Sequence, residues 1–121
     1  RFDFEGKKPV YVSFNGKDIV AVLHGRIDKL DRDNDIFYSL IDLPRGIRKL
    51  YGCTSTCDGE TFISTNQGVF IYVDGKNTLE KLKIQVDGHV GAICFNEGIM
   101  YGVVEKNNID GNNVSLFKLD L

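Results

Sequence analysis

The chain has 121 residues, of which 15 are basic and 17 are acidic, so its formal net charge is −2. This balance gives no basic field for nucleic acid or for an anionic membrane surface, and it disfavours both as partners. No apolar run approaches the roughly 20 residues that a membrane-spanning helix needs. The length allows one ordinary domain at most.

The first predicted elements form a hairpin. Apolar strands over 10–14 and 19–23 are joined by the turn Asn15-Gly16-Lys17, and an Asn-Gly turn is a strong hairpin indicator because both central positions need positive φ. The next ten residues, 26–35, are largely Asp, Arg and Asn. We expect them to form a long solvated loop that leads to a third strand over 36–42.

The same order of segments occurs twice more. Each copy has two apolar strands around a tight Asn, Asp or Gly turn, and after a polar stretch a third strand that ends near an Asp. The strands are 50–55, 61–65 and 69–74 in the second copy, and 90–95, 99–105 and 114–120 in the third. The segments 19–23 and 92–95 are continuously apolar, which predicts strands covered on both faces.

Two alternations of apolar and polar residues predict outer strands. Phe2 and Phe4 alternate with charged residues, and apolar residues alternate with lysine and glutamine over 82–86. This pattern is typical of a strand with one face in water. A helix is the alternative for the second segment, because residues 80–83 are good helix formers. Residues 43–49 leave little room for an outer strand after the first copy, so we expect that strand to be short or missing.

The turns recur at the interval of a blade repeat. Asn15 and Asp58 are 43 positions apart, and Asp58 and Asn96 are 38 apart, close to the roughly 40 residues of a propeller blade. We predict an all-β fold of about three four-stranded antiparallel blades in an incomplete β-propeller ring, since a closed ring needs about four or more. The approximate blades are 1–43, 44–75 and 76–121. We expect a fragment of a longer chain or part of a larger assembly; a sandwich or a single twisted sheet is the competing architecture.

The third copy carries residues that resemble a known repeat. Asp87-Gly88-His89 precedes an inner strand, and the last strand ends on Leu119-Asp120. These segments are similar to the Gly-His opening and the Trp-Asp close of a WD repeat. The resemblance covers most of the chain in degenerate form, since the chain has no Trp.

In WD-repeat proteins a buried His, a Ser or Thr, an Asp and a Trp link the strands within a blade. The resemblance implies that His89 takes the first place and Asp110 the third. Phe117 or Leu119 would take the aromatic place, although neither can donate a hydrogen bond. The resemblance also implies a propeller that presents rigid loops to protein partners.

An acidic stretch superficially resembles a calcium loop. Asp31, Asp33 and Asp35 stand at alternate positions, and Asp42 follows Asp31 by eleven residues. Oxygen ligands at such positions suit a hard cation. However, Ile36 stands at the sixth position, where a calcium loop needs Gly. We therefore predict a solvated loop and no metal there.

The cysteines Cys53, Cys57 and Cys94 form an odd set in strand-like settings. This usage predicts unpaired thiols and an intracellular protein, in the cytoplasm or the nucleus. With His89 they make a conceivable zinc set. In an extended strand, however, Cys53 and Cys57 would be roughly 13 Å apart, too far to share an ion without a bend. No cofactor is predicted.

No catalytic group of residues is recognisable. His24 is a candidate base, but no serine lies in a nucleophile elbow and no glycine loop suits a phosphate. We predict no enzyme activity. The expected function is that of a non-enzymatic protein–protein interaction scaffold, a WD-repeat-like propeller segment within a multi-subunit complex. The alternative is a ligand-binding or metal-binding, or hydrolytic, propeller.

The surface best suited to a partner is the cluster Arg45, Arg48 and Lys49, because three cations in five residues recruit an acidic peptide or a phosphate. The expected partners are proteins, including whatever completes the propeller. The predicted partner-binding residues, all taken as loop positions, are Arg26, Asp28, Arg32, Arg45, Arg48, His89, Lys106 and Asn107.

Overall fold

The computed structural model describes residue 4 and residues 6–76, 78–108 and 111–121, without the side chains of residues 107, 108 and 111–113. All regular secondary structure in these ranges is β-strand, which confirms the all-β prediction. No helix long and apolar enough to cross a membrane occurs in this part of the chain. An outer strand was predicted from Phe2 and Phe4; Phe2 lies outside the described residues, and Phe4 is described and is not part of a strand.

The described residues form three antiparallel sheets. The first sheet has the order β1 (Pro9–Phe14), β2 (Ile19–Leu23), β3 (Arg26–Asp31) and β4 (Ile36–Asp42). The second has the order β5 (Leu50–Ser55), β6 (Glu60–Thr65), β7 (Gly68–Val73) and β8 (Leu79–Lys81). The third has the order β9 (His89–Asn96), β10 (Ile99–Asn108) and β11 (Gly111–Asp120).

The first sheet corrects two expectations. The segment expected as a long loop contains β3, and Ile36–Asp42 is the fourth strand of the sheet, so the outer strand is neither short nor missing. Gly25, with a φ of 97°, closes the tight turn into β3. Ile27 pairs with Val22 and is fully buried. Burial of this apolar side chain holds the charged segment in the sheet.

The outer edge of the second sheet is shorter than predicted. β8 ends at Lys81, and residues 82–88 have neither strand nor helix structure. Leu82, Ile84 and Val86 nevertheless pack against the core while the residues between them face solvent. The alternation therefore predicted correctly which side chains of this segment are buried. The predicted strand is present only before residue 82, as β8.

Two apolar cores join the sheets in chain order. Val20, Val22 and Ile27 of the first sheet pack with Ile63 and Tyr72 of the second. On its other face the second sheet packs against the third, through the residues Phe62, Val69, Ile71, Val90, Ile93 and Met100. The second sheet is thus covered on both sides, which explains the nearly continuous burial of β6 and β7.

The first strands of the three sheets, β1, β5 and β9, run side by side in the same direction. Ser13 and Ser55 are hydrogen-bonded at 2.6 Å between β1 and β5. The Phe95 amide donates to Thr54 Oγ1 at 3.0 Å between β9 and β5. As a result, loops 43–49 and 82–88 lie at one end of the sheets, the loop end, together with the turn 66–67.

The outer faces of the first and third sheets expose apolar side chains. On β1, Val12 and Phe14 are 62% and 57% exposed, and on β11, Val114 and Leu116 are 63% and 81% exposed. The segment 92–95 was predicted to be covered on both faces, but this is wrong because Ala92 and Cys94 face outward and are exposed. We call the exposed surface of the first sheet, with Val12 and Phe14, the first open face. The exposed surface of the third sheet, with Ala92, Cys94, Val114 and Leu116, is the third open face.

Candidate functional site

Arg45, Arg48 and Lys49 lie in the loop between β4 and β5, which we call the cationic loop. Asn66, in the turn between β6 and β7, holds this loop. Its side-chain oxygen accepts from the amides of Arg48 at 2.8 Å and Lys49 at 3.1 Å, and its side-chain amide donates to the Gly46 carbonyl at 3.1 Å. The backbone that carries the cations is therefore fixed by the second sheet.

The cationic loop presents its charge to solvent. Ile47 packs against the core between the first and second sheets and anchors the loop, while Arg45, Arg48 and Lys49 are exposed. Among the described residues, none of these three cations forms an ion pair. Three unpaired cations on a fixed backbone suit a carboxylate-rich or phosphorylated partner, because little ordering is needed when it binds.

Arg26 and Asp28 are not loop residues, so that part of the expectation is wrong. Both lie in β3, where Arg26 Nε is 2.9 Å from Asp28 Oδ1 and Asp28 is 1% exposed. Arg26 Nη2 also donates to the Phe4 carbonyl at 3.2 Å. A buried carboxylate needs such a partner. Asp28 therefore offers no surface to a partner in the form described here.

Arg32 lies at the opposite end of the sheets, in the turn between β3 and β4. Asp31 organises this turn by accepting from the Asp33 amide at 3.1 Å and from Asn34 Nδ2 at 2.7 Å. The hydrogen bond from Asn34 is the main reason that the pKa of Asp31 is lowered. Its carboxylate is used within the turn, and the described residues contain no group of three or more potential metal ligands.

His89 and Lys106 lie at the loop end, each beside an acid. His89 Nε2 is 3.1 Å from Glu105 Oε2, and the His89 ring packs on Tyr51 with ring centroids 5.3 Å apart. Lys106 Nζ is 2.5 Å from Asp87 Oδ2. The His89 side chain is 40% exposed, unlike the buried histidine that the WD resemblance implies. The side chain of Asn107 and all of Asp110 lie outside the described residues.

The structure also contains a site that the sequence did not reveal, which we call the loop-end cavity. It has a volume of about 250 Å³ and lies between the turn 65–68, the segment 81–86 and the start of β9. Gln67, which lines it, lies beside Gly46 of the cationic loop, where a Cβ would be 3.1 Å from Gln67 Nε2. The apolar alternation over 82–86 was the one sequence signal, but it does not show which surface these side chains cover.

The other candidate residues are dispersed. His24 is exposed in the turn between β2 and β3. All three cysteines are unpaired, with Cys57 and Cys94 exposed. Burial raises the pKa of the Cys53 thiol to about 12.

Comparison with known proteins finds no matching family model and no matching curated sequence.

Proposed function

We propose that this chain is a segment of a WD-like β-propeller and serves as a non-enzymatic scaffold for protein–protein interaction within a complex. The observation that carries the proposal is the repeated packing of one sheet on the next, which ends at two open apolar faces. The propeller supplies a stiff body, and its loop end supplies the contacts.

At each of the two boundaries between neighbouring sheets, a side chain at the same position of the sheet's first strand contacts the next sheet. Ser13 on β1 is directed at β5, and Thr54 on β5 is directed at β9, each through a side-chain hydroxyl. On β9 the corresponding residue is Cys94, which lies on the third open face and is exposed. A further sheet of the same kind would pack there as β9 packs on β5.

The two open faces are of opposite kinds. The third open face corresponds to the surface by which the first sheet packs on the second. The first open face corresponds to the surface by which the second sheet receives the first. Exposed apolar patches of this kind mark interaction surfaces. We propose that additional blades, from the same polypeptide or from a partner, cover both faces and continue the ring.

The interaction role is supported by the cationic loop. Propeller loops are held on stiff short sheets, and Asn66 fixes this one by three side-chain hydrogen bonds. The cations at Arg45 and Arg48 are exposed and have no carboxylate partner among the described residues. We propose that a protein with an acidic or phosphorylated segment binds here.

The proposal is tested by affinity capture from cell extract with the tagged protein in its native assembly. We compare the wild type with a variant carrying both Arg45→Glu and Arg48→Glu. The matched control carries Lys17→Glu and Lys76→Glu, which makes the same charge change at two exposed positions of the opposite end. The expected result is that one or more proteins are lost from the first variant only. Retention of every captured protein by both variants would eliminate the loop end as the binding surface.

A further inference from the structure

We propose that the loop-end cavity receives one apolar side chain of an acidic peptide segment, whose carboxylates bind Lys81 and the cationic loop. The inference deepens the proposed function and rests on it, since it states which chemistry the partner presents. It is drawn from the shape of the cavity, the residues that line it and the distribution of charge around its mouth.

Part of the lining of the cavity is apolar, and the buried Thr65 in the same lining uses its hydroxyl within the turn, donating to the Gly68 carbonyl at 2.9 Å and accepting from the Gln67 amide at 3.0 Å. Val69 and Val90 are 2% and 6% exposed, and Leu82, Ile84 and Val86 form the wall on the side of the irregular segment. An apolar side chain that enters this space leaves water without losing a hydrogen bond. The volume of about 250 Å³ is below the roughly 300–1,000 Å³ of pockets for small-molecule ligands. The space therefore suits one side chain of a larger partner.

The mouth of the cavity carries positive charge. Lys81 lines it and lies across Gly68, where a Cβ would be 2.9 Å from Lys81 Cε. Glycine at position 68 thus leaves room for the lysine chain beside the opening. Within the described ranges, Lys81 has no ion-pair partner. Two acids lie close to the opening and both are paired, Asp87 with Lys106 and Glu105 with the lining residue His89.

The cavity and the cationic loop form one continuous surface. Asn66 binds the backbone of the cationic loop and also lines the cavity. The next residue, Gln67, lines the cavity as well. An extended peptide that places an apolar residue in the cavity therefore has cations on the side of Lys81 and on the side of the cationic loop. This charge arrangement is complementary to a segment in which an apolar residue is flanked by acids.

The test measures fluorescence anisotropy of a labelled nine-residue peptide of Asp and Glu with Leu at its centre, added to the protein in its native assembly. A second peptide has Asn in place of Leu. The Leu peptide is expected to bind at least about fivefold more tightly, since burial of the leucine side chain favours binding and part of that gain is offset by the cost of ordering the peptide. This comparison uses the unaltered protein, so no folding defect affects it.

A matched pair of variants tests the mouth of the cavity. Lys81→Glu is expected to weaken binding of the Leu peptide at least about threefold more than Lys83→Glu, because Lys83 does not line the cavity. At physiological salt the Debye length is about 8 Å, so the more distant charge acts weakly. Equal melting temperatures of the two variants exclude a difference in folding as the cause.

The outcomes separate this inference from the proposed function. Equal affinity for the Leu and Asn peptides, or equal effects of Lys81→Glu and Lys83→Glu, would overturn the cavity as the binding site. Failure of both acidic peptides to bind would overturn it as well. In each of these cases the capture experiment with Arg45 and Arg48 still decides the scaffold function independently.

Discussion

Gly16 in the first hairpin turn lies directly against the backbone of Cys57 in the second, so closely that a Cβ on Gly16 would overlap the Cys57 carbonyl. The Asn15 carbonyl also accepts from the Gly59 amide at 3.0 Å. The turns of the first two sheets are therefore interlocked. Glycine at position 16 satisfies two conditions at once, the available space and a φ of 92°.

We predict that Gly16→Ala destabilises the protein by about 2–4 kcal/mol, since it adds a backbone clash to the cost of positive φ. The matched control is Gly98→Ala, because Gly98 has a φ of 81° but nothing within 4 Å of its Cβ position. The free energy of unfolding of that variant is expected to fall by only about 1–2 kcal/mol. Urea unfolding of both variants checks the prediction, and equal losses would contradict the interlocking of the turns.

The hydrogen bond from the Phe95 amide to Thr54 Oγ1, at 3.0 Å, joins the inner strands of the second and third sheets. Thr54→Val keeps the shape of the side chain but removes the acceptor. We expect the free energy of unfolding to fall by about 1–3 kcal/mol, because the partly buried Phe95 amide is left without a partner. Thr54→Ser retains the hydroxyl and is expected to lose less than half as much. Thermal unfolding compares the two variants, and an equal loss of stability in both would show that the hydrogen bond contributes no more than the methyl group.

The sequence predicted hairpin turns well and the first outer strand poorly. Asn15-Gly16 and Asp58-Gly59 imply positive φ within a few residues, so their chemistry is local. By contrast, β3 carries Arg26, Asp28 and Lys29, which suggest a solvated loop when considered alone. Their burial depends on partners elsewhere, including the carbonyl of Phe4 and the carboxylates of Asp18 and Asp74. A pattern along the chain does not contain those contacts.

The candidate site was predictable to a similar degree. The cationic loop follows from composition, because Arg45, Arg48 and Lys49 lie within five residues of one another in a turn-rich segment. The loop-end cavity did not follow, since its walls come from three separate segments that only the packing of the second and third sheets brings together. Whether the predicted residues bind a partner stays a prediction.

An ion-pair cluster at the end of the sheets opposite the loop end makes the stability of the protein depend on pH. Lys29 Nζ is 2.9 Å from Asp18 Oδ2 and 3.5 Å from Asp74 Oδ1. Burial acts to raise the pKa of Asp18, but the hydrogen bond and charge of Lys29, together with a hydrogen bond with Asp74 and the charge of Lys17, outweigh it, so the pKa lies below the ordinary 3.8. The hydrogen bond to Asp18 raises the pKa of Lys29 above the ordinary 10.5.

The two shifts act at opposite ends of the pH range. The contribution of Asp18 is complete above its unfolded pKa and is lost as the pH falls through the lower folded value. That of Lys29 is complete below its unfolded pKa and is lost as the pH rises through the higher folded value. We predict that Lys29→Met destabilises the protein most between about pH 5 and pH 8. The difference from the wild type should shrink below pH 4 and above pH 10.5.

Urea unfolding across this range, with Lys76→Met as the control for loss of an exposed lysine, measures the effect. The control should differ from the wild type by a small amount that does not change with pH. A deficit of Lys29→Met that stays the same from pH 3 to pH 8 would show that Asp18 does not depend on Lys29 for its ionisation.

The cysteines give a chemical test of which faces are covered. Cys57 and Cys94 are exposed, whereas burial raises the pKa of the Cys53 thiol to about 12. Thiolates, and not thiols, react with alkylating reagents. In the folded chain at pH 8, iodoacetamide is therefore expected to modify Cys57 and Cys94, and to modify Cys53 only after unfolding. Peptide mass spectrometry assigns each adduct.

In the native assembly the proposed ring predicts a different result. Cys94 lies on the third open face, where the next blade would pack, while Cys57 lies in a turn at the end of the second sheet. We expect alkylation of Cys94 to slow at least about tenfold in the assembly, with Cys57 unchanged as the internal control, because burial excludes the reagent. If both cysteines react as fast in the assembly as in the isolated chain, nothing covers the third open face and the ring does not continue past β9.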